Sequence, residues 1–344
     1  MISNSIKPFL GIFSKDKPCI PPIWFMRQAG RHLPEYRELR RKCPDFIKFC
    51  LSPFLSKEAA LQPIRRYNVD VAILFSDILM IPYALGQTVT FEERKGPRLS
   101  EFDWKNLSHT FDISQCLDRL SPVFESVNSL KAELPNHVTC LGFSGGPWTV
   151  ASYMIEGSLS RDLREIKTQA YQSPKVFQEF LITLAKITAQ YLIQQIKSGA
   201  EAIQIFESWA GFIPEDFLRP WLYEPLALIV KTVRTAYPEV PIIGYARGLG
   251  PWAESLITET GLDGLSFDHT LSLEKAVKID CILQGNLDPI LLLNPTKILY
   301  QETERILNTM SQKPFVFNVG QGLLPETRPE LVLELIGFIR KNSH

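Results

Sequence analysis

The chain has 344 residues, 45% of them hydrophobic, which is enough to bury the core of one large α/β domain or of two ordinary domains. Its 37 lysines and arginines balance its 37 aspartates and glutamates. This balance excludes an overall field that would draw the chain onto nucleic acid or an anionic membrane, so any anion-binding site must be local.

Cysteine usage and hydropathy predict a protein of the reducing cytoplasm. The six cysteines show no Cys-x-x-Cys spacing, and the start of the chain lacks the apolar run of a signal peptide. No apolar stretch reaches the roughly 18 residues that a membrane helix needs. We therefore expect free thiols and no membrane partner.

Eight short β-rich runs follow one another along the chain, separated by stretches with helical spacing. In order they read PPIWFMR, VAILFSD, HVTCLGFSG, AIQIFES, PIIGYARG, GLSFDH, CILQGNLD and PFVFNVGQG. The runs are continuously apolar rather than alternating, which is typical of parallel strands covered on both faces. The pattern predicts one α/β domain over residues 1–344, a (β/α)8 barrel of the TIM type, with an open doubly wound sheet as the alternative.

Helices are predicted between these runs from the periodicity of their apolar residues. Three clear examples are the segments SKEAALQPIRRY, PKVFQEFLITLAKITAQYLIQQIKSG and PETRPELVLELIGFIRKN. Residues 85–101 leave this pattern, because the alternating TVTFEE followed by Lys-Gly-Pro predicts a hairpin hanging from the loop after the second run. We expect this hairpin either to flank the barrel mouth or to be solvated.

Every run ends on residues that a core would not select. These residues are Arg27, Asp77, Ser144, Glu207 with Ser208, Arg247, Asp268, Asn286 with Asp288, and Asn318 with Gln321. In a barrel all eight carboxyl ends open onto the face that holds the active site. Polar loops alone would also end strands in this way, but eight concordant cases favour a shared site.

The segment GFSGG, residues 142–146, fits the G-x-S-x-G pattern of a hydrolase nucleophile, with Ser144 as the candidate and His269 downstream. Pro147 stands where the helix of such an elbow usually begins, which argues against this interpretation. No Walker loop and no G-x-G-x-x-G is present, so the sequence does not favour a nucleotide-phosphate or dinucleotide-binding site. His137 and Cys140 are the closest His/Cys pair, but they begin a run and are interpreted as structural rather than as metal ligands.

A local excess of positive charge surrounds the end of the first run. From Arg27 to Lys42 the chain has a net charge of +4. Asp77 closes a strongly apolar run, where an unpaired carboxylate is costly unless a cation or ligand N–H groups meet it. A salt bridge to an arginine after the first run is the structural alternative for Asp77, and Glu35 and Glu38 are the alternative partners for the arginines.

With these motifs the chain resembles the uroporphyrinogen decarboxylase family over nearly its full length. The resemblance is carried by MRQAGRHLPEYR, FSDIL, ALGQTVTFEERKGP, GGPWT, YMIEG, FESWAG, GNLDP and GLLPET. It implies a single-domain (β/α)8 barrel, typically a homodimer, without metal or organic cofactor. It implies removal of carbon dioxide from the four acetate side chains of a cyclic tetrapyrrole to give coproporphyrinogen.

The resemblance also implies roles for individual residues. Asp77 would accept hydrogen bonds from the pyrrole N–H groups and stabilise the protonated pyrrole, and Arg27, or a water that it orients, is a candidate proton donor. Guanidinium groups suit a substrate with eight carboxylates because they hold carboxylates with fixed geometry. The implied substrate-binding set is Arg27, Gln28, Ala29, Gly30, Arg31, Arg40, Asp77, Tyr153, Ser208 and Gln321. Tyr153 could instead be a core aromatic, Ser208 a cap at the strand end, and Phe206 is expected to be an apolar wall.

Two positions depart from the usual family pattern. The family usually has Tyr where this chain has His32, and His in GHG where this chain has Gln321, which can hydrogen-bond but cannot carry a proton at neutral pH. Many members have Ala at the position of Ser144. A corrinoid-linked methyltransferase, a serine hydrolase that uses Ser144 and a tetrapyrrole-binding protein without turnover remain the alternative functions.

Overall fold

The computed structural model describes residues 7–14, 20–92 and 96–343. Its described strands are β1 (Val71–Ile73), β2 (Val89–Glu92), β3 (Gly96–Leu99), β4 (Thr139–Gly145), β5 (Ala202–Glu207), β6 (Ile242–Ala246), β7 (Gly264–Ser266), β8 (Ile282–Leu287) and β9 (Phe315–Val319). Seven of them form one parallel sheet in the order β1-β4-β5-β6-β7-β8-β9. The sheet is curled, and the predicted TIM-type α/β class is confirmed.

The first apolar run lies between β9 and β1, where it takes the place of an eighth strand and closes the barrel. Ile23 bridges Phe317 of β9 in parallel register, and the Phe317 N–H donates to the Pro22 carbonyl at 2.9 Å. On the other side the Asp70 N–H donates to the Ile23 carbonyl at 2.9 Å. This closure excludes the open sheet. The run is too irregular to be a named strand because Pro21 and Pro22 lack N–H donors.

Sixteen described helices surround and connect the strands. They are α1 (Pro8–Gly11), α2 (Pro34–Lys42), α3 (Phe46–Cys50), α4 (Pro53–Tyr67), α5 (Met80–Ala84), α6 (Leu107–Thr110), α7 (Ile113–Arg119), α8 (Ser121–Glu133), α9 (Pro147–Glu156), α10 (Arg164–Gln172), α11 (Pro174–Lys197), α12 (Glu224–Ala236), α13 (Ala253–Thr260), α14 (Leu273–Ala276), α15 (Lys297–Met310) and α16 (Pro329–Asn342). Short 3₁₀ turns lie at Trp104–Asn106, Ala210–Phe212, Glu215–Phe217, Gly250–Trp252 and Pro289–Leu292, and one π-helical turn at Arg219–Tyr223. The three predicted helices are present as α4, α11 and α16.

Helix boundaries follow local chemistry. The Ser52 hydroxyl accepts a hydrogen bond from the Leu55 N–H at the start of α4, and Asn68 ends that helix in the left-handed conformation. The last helix begins at Pro329, four residues after the start of the predicted segment at Pro325. Proline at the first helical position has no N–H to leave unsatisfied.

Amide side chains cross-link the inside of the barrel beneath its mouth. The Trp24 indole N–H donates to Gln284 Oε1 at 2.9 Å, and Gln284 Nε2 donates to Gln204 Oε1 at 3.0 Å. All three side chains are buried. The network ties the first run to β8 and β5, and so fixes the base of the loop that carries Arg27.

The predicted hairpin is formed by β2 and β3 in antiparallel register, from Val89 opposite Leu99 to Glu92 opposite Gly96. Its turn, residues 93–95, lies outside the described residues. The Leu99 N–H donates to the carbonyl of Gly157, at the end of α9, at 2.8 Å. The hairpin therefore packs against the helix that follows β4. None of the helices in the described part of the chain combines the length and the apolar character needed to cross a bilayer.

Candidate active site

The mouth of the barrel gathers the polar strand ends, because parallel strands present their carboxyl ends at one edge. Asp77 follows β1, Ser208 follows β5, Arg247 follows β6 and Gln321 follows β9. Tyr153 lies on α9, the helix that leaves β4. Residues far apart in sequence thus share one face, as the strand ends predict.

Arg27 is held on the rim by its main chain and by the loop after β9. Its φ of 60° places it in the left-handed region, which non-glycine residues rarely occupy and which is found at functional sites. The neighbouring Met26 N–H donates to Asn318 Oδ1 at 2.9 Å, and the Met26 carbonyl accepts from the Leu323 N–H at 3.0 Å. A Cβ on Gly322 would lie 2.5 Å from Arg27 Cδ, so only glycine allows the arginine stem to lie there.

The loop from Arg27 to Leu33, called the arginine loop below, is also held by Arg37. Its Nη1 donates to the carbonyl of Arg31 at 2.8 Å and to that of His32 at 3.1 Å. Gly30 and Ala29 are half-buried, and a Cβ on Gly30 would lie 3.2 Å from the Arg27 carbonyl oxygen. Arg37 therefore shapes the loop and leaves the side chain of Arg31 exposed.

The side chains of Arg27 and Arg31 form no hydrogen bond or ion pair with any residue in the described ranges. The expected alternative partner, Glu35, is bound by Arg66 of α4, whose Nε and Nη2 donate to its carboxylate at 2.7 and 2.9 Å. The idea that the loop arginines serve to hold Glu35 is therefore wrong. Their guanidinium groups remain available to an anion from outside the protein.

Two members of the predicted binding set use their side chains within the protein. Gln28 is buried, and its amide accepts from the Phe25 N–H at 3.1 Å and donates to the Val71 carbonyl at 2.8 Å, joining the first run to β1. Arg40 donates to the carbonyls of Cys43 and Pro44 and lies over the rings of Phe46 and Phe49. Both side chains support the loop and the α2–α3 connection.

Asp77 is a half-buried carboxylate at the end of the apolar run. Burial raises its pKa to about 6, against the opposing effects of the Leu79 N–H, which donates to Oδ1 at 2.9 Å, and of the positive charge of Arg27. No ion pair within 4.0 Å involves Asp77 in the described ranges, so the predicted structural salt bridge is absent. The carboxylate has one internal donor and keeps acceptor capacity for N–H groups of a ligand.

Tyr153 lies close enough to Asp77 and Arg27 for both charges to affect its phenol. Burial raises the pKa of its phenol to about 12, the charge of Asp77 adds to this rise, and Arg27 and Arg247 oppose it. Its ring is half-buried and packs edge-on against Trp209 with centroids 6.0 Å apart. Ser208, the residue directly after β5, is also half-buried, and its hydroxyl forms no hydrogen bond with any described residue. Phe206 is a wall residue, packed against Phe143 and Tyr245.

Glu207 ties β5 to α9. Its buried carboxylate accepts from the Trp148 N–H at 3.1 Å, the Thr149 N–H at 2.8 Å and the Thr149 hydroxyl at 2.6 Å. Burial raises its pKa to about 7 in spite of these donors. Since Ser208 follows Glu207 and Tyr153 lies one turn further along α9, the clamp sets these two side chains relative to each other. The sequence shows Glu207 only as a strand end and gives no sign of its partners.

The two positions that depart from the family pattern differ in their surroundings. Gln321 is exposed on the rim beside Gly322. His32 is buried, stacks parallel to Tyr67 with ring centroids 6.4 Å apart, and has its pKa lowered to about 4 by burial. His32 is therefore neutral at neutral pH and packs the base of the arginine loop.

The hydrolase interpretation of Ser144 is contradicted by its contacts. The Ser144 hydroxyl is buried and donates to the Gly145 carbonyl at 3.1 Å, while His269 is exposed in the loop after β7. Burial raises the pKa of the Cys140 thiol to about 12, and His137 is exposed. Across the described residues no three His, Cys, Asp or Glu side chains are grouped so that they could hold a metal ion.

The chain matches the family model described as uroporphyrinogen decarboxylase (URO-D) over residues 4–342. A uroporphyrinogen decarboxylase of Rhodospirillum rubrum is 42% identical over 341 residues and covers 98% of each chain. One of Brucella anthropi is 44% identical over 322 residues and covers 93% of this chain and 94% of its own.

Solved structures with the same fold have more distant sequences. A methyltransferase from Methanosarcina mazei superimposes with a TM-score of 0.81 at 18% identity, covering 97% of both chains. A B12-independent methionine synthase from a Shewanella species gives a TM-score of 0.57 at 10% identity, covering 84% of this chain and 88% of its own. At these identities the likeness shows the barrel fold alone.

Proposed function

Because the chain belongs to the uroporphyrinogen decarboxylase family, we propose that it removes carbon dioxide from the four acetate side chains of uroporphyrinogen to give coproporphyrinogen in haem biosynthesis. The protein is a carboxy-lyase. One observation carries the assignment of its active site. The rim of the barrel holds a carboxylate, Asp77, that forms no ion pair, and two arginines, Arg27 and Arg31, whose side chains have no partner in the described parts of the protein.

The proposed role of Asp77 follows from the electron flow. Each step replaces the carboxylate of an acetate by a proton: a ring carbon next to the acetate arm is protonated, carbon dioxide leaves with its bonding electrons flowing into the cationic ring, and a proton then reaches the exocyclic carbon while the ring proton departs. Ionised Asp77 accepts hydrogen bonds from the pyrrole N–H groups. It thereby stabilises the positive charge that develops during protonation.

Arg27 and Arg31 bind carboxylates of the substrate. Their planar guanidinium groups match a carboxylate with two parallel hydrogen bonds, which a lysine ammonium does not offer. Arg27 also lies close enough to Asp77 to lower its pKa, so it is placed to deliver the proton or to orient a water that does so. The substrate itself serves as the electron sink.

The remaining members of the binding set contribute positions around these charges. The hydroxyls of Tyr153 and Ser208 donate to side-chain carboxylates, and the amide of Gln321 donates from the opposite side of the Arg27 loop. Ala29 and Gly30 let the substrate approach the main chain of that loop. Gln28 acts by joining the loop to β1, and Arg40 acts by holding the connection between α2 and α3, since both side chains are bonded internally.

The setting of the enzyme completes the proposal. Residues 1–344 act as one domain, and the enzyme works in the cytoplasm as a homodimer, without nucleic acid or membrane partners and without a metal or organic cofactor. Support for a reducing compartment comes from the five described cysteines, Cys43, Cys50, Cys116, Cys140 and Cys281, which are all free thiols.

Anaerobic incubation with uroporphyrinogen under reducing conditions tests the function. We expect products with seven, six, five and finally four carboxylates, separated by chromatography after oxidation. Tetrapyrrole binding without loss of carboxylates would identify a binding protein instead. Turnover that depends on an added corrinoid protein, with no decarboxylation, would identify a methyltransferase.

A further inference from the structure

Arg247 lies directly across the barrel from Arg27. The closed ring has eight strand positions, in the order first run, β1, β4, β5, β6, β7, β8 and β9. Arg27 stands at the end of the first run, which is the first position of the ring, and Arg247 follows β6, which is the fifth position. Four positions therefore separate the two arginines in either direction around the ring. The mouth therefore carries arginines on two opposite walls, with Asp77 beside one of them.

The main chain of Arg247 is fixed from three directions. Its N–H donates to the Glu207 carbonyl at 3.0 Å, and its carbonyl accepts from the Gly211 N–H at 2.9 Å. The next residue, Gly248, has a φ of 76° and donates its N–H to the buried Asp268 carboxylate at 2.8 Å. These contacts fix where the side chain of Arg247 leaves the main chain, as the support of a binding group requires.

The guanidinium of Arg247 has no internal partner. It makes no hydrogen bond or ion pair with any residue of the described ranges, although the residue is half-buried. Leaving aside the loop of Arg27 and Arg31, four other described arginines also have no side-chain partner, and all four are exposed: Arg41, Arg161, Arg164 and Arg328. Partial burial of an unpaired cation is unfavourable unless an anion binds to it.

Two tyrosines place this charge inside the cleft. The positive charges of Arg247 and Arg27 both act on the phenols of Tyr153 and Tyr245. The Tyr245 hydroxyl donates to the Gly320 carbonyl at 3.2 Å, next to Gln321 on the far rim. Arg247 and Arg27 are therefore both near Tyr153, a residue of the proposed active site.

We propose that Arg247 binds a carboxylate on the pyrrole ring opposite the ring held at Arg27 and Asp77. This inference rests on the proposed function, because it assumes a macrocycle with carboxylates around its whole edge. Four of the eight carboxylates of uroporphyrinogen are never removed, and each ring keeps one of them. Arg247 thus has an anionic partner at every one of the four steps, whichever ring is reacting.

The test compares Arg247→Gln with the wild-type protein and with Arg305→Gln. Arg305 is an exposed arginine on the outer helix α15, where it pairs with Glu302, and serves as the matched control. We expect Arg247→Gln to raise the KM for uroporphyrinogen about 10- to 100-fold, the loss of one charge-assisted hydrogen-bonded contact, with a much smaller change in kcat. The pentacarboxylate intermediate should show the same rise, and Arg305→Gln should leave KM unchanged.

Structural damage and loss of binding give different results in this experiment. A purely structural role would lower the unfolding midpoint and kcat together, which circular dichroism and kcat measurements detect, and Arg247→Met provides a second neutral side chain if the glutamine variant does not fold. A KM within twofold of wild type in a folded variant would overturn the inference while leaving the decarboxylase function intact. Failure of the wild-type protein to decarboxylate would instead overturn the proposed function.

Discussion

Asp77 shows how a proposed catalytic group lowers the stability of its own protein. Its pKa of about 6 in the folded chain exceeds the ordinary aspartate value of 3.8 because burial disfavours the charged form. Between these two values the folded state keeps a proton that the unfolded chain has released. The free energy of unfolding therefore falls as pH rises through this window, and above pH 6 the full penalty is present.

Replacement of Asp77 by Asn should separate catalysis from stability. We expect Asp77→Asn to lower turnover on the order of 10²-fold or more, because the anion that faces the developing cation is lost. The same variant should gain about 1–3 kcal/mol in free energy of unfolding at pH 7.5, since Asn can still accept from the Leu79 N–H without carrying charge. Urea denaturation at pH 7.5 and pH 4 checks the gain, which should shrink at the lower pH. Near-wild-type turnover in the folded variant would remove Asp77 from the mechanism.

The pH dependence of kcat/KM should report the ionisation of Asp77 in the free enzyme. Only the ionised carboxylate accepts pyrrole N–H groups, so kcat/KM should fall as pH drops below about 6. Glu207, with a pKa of about 7, ionises nearby but does not reach the rim through its own oxygens. The acid limb should therefore persist in Glu207→Gln. If the acid limb of the kcat/KM profile shifted or disappeared in Glu207→Gln, the ionisation would belong to Glu207 rather than to Asp77.

Gln321 distinguishes proton transfer from positioning at the rim. If the histidine usual in the family transfers a proton, Gln321→His should raise turnover by the 10²- to 10⁴-fold typical of general acid–base catalysis and add an ionisation near pH 6.5. We expect instead a change below tenfold and no new ionisation, because an exposed amide can position a carboxylate equally well. Steady-state kinetics between pH 5 and 8 measure both quantities. A large gain with a new limb would make this chain an impaired decarboxylase.

At the scale of the elements, the contact between β5 and α9 positions two residues of the proposed site, Ser208 and Tyr153. Glu207 accepts three hydrogen bonds from the first turn of α9, and the Trp148 indole donates back to the Trp209 carbonyl at 3.0 Å. A Cβ on Gly146 would lie 2.2 Å from Glu207 Oε1, so glycine is required beside the carboxylate. Strand and helix are thereby joined next to Ser208 and Tyr153, two residues of the proposed binding set.

Removal of the Glu207 carboxylate should loosen both elements. We expect Glu207→Ala to lower the free energy of unfolding by about 3 kcal/mol, because buried donors of α9 lose their acceptor. Glu207→Gln keeps one acceptor oxygen and should lose less, which makes it the matched control. Urea denaturation monitored by tryptophan fluorescence gives both values. Equal losses in the two variants would show that the hydrogen bonds are not the source of the stability.

The order of elements could be predicted from the sequence, whereas the use of individual polar side chains could not. Apolar periodicity indicated the barrel, the hairpin and helices such as α11, because an element that buries one whole face shows a regular spacing of apolar residues along the sequence. The partner of Glu35 is Arg66, 31 residues away, and no local pattern announces it. Arg40 and Arg247 look alike in sequence as cations near a run or helix. The side chain of Arg40 is bonded internally, whereas that of Arg247 has no partner among the residues that the structure describes.

At the scale of the whole molecule, the barrel is completed by its least regular member. The first run forms one backbone bridge to β9 and one backbone hydrogen bond with Asp70, the residue before β1. Its other contacts with these strands run through side chains, such as those of Asn318, Asp70 and Gln28. Sequence reasoning expected a full strand there, because PPIWFMR is apolar and β-rich. Two prolines without N–H donors and the left-handed Arg27 prevent a longer ladder. The same segment ends at Arg27, one of the proposed carboxylate-binding arginines.

This weak joint has a consequence for motion. A segment with few ladder hydrogen bonds opens locally at a lower free energy than the strands beside it, so its amides should exchange with deuterium sooner than those of β4 or β5. A ligand that bridges Arg27 to the opposite wall would hold the joint shut. We expect coproporphyrinogen to slow deuterium uptake across residues 22–33 more than across α15, as measured by mass spectrometry of peptic peptides. Equal protection of both regions would show that the enzyme closes its barrel without help from the molecule it binds.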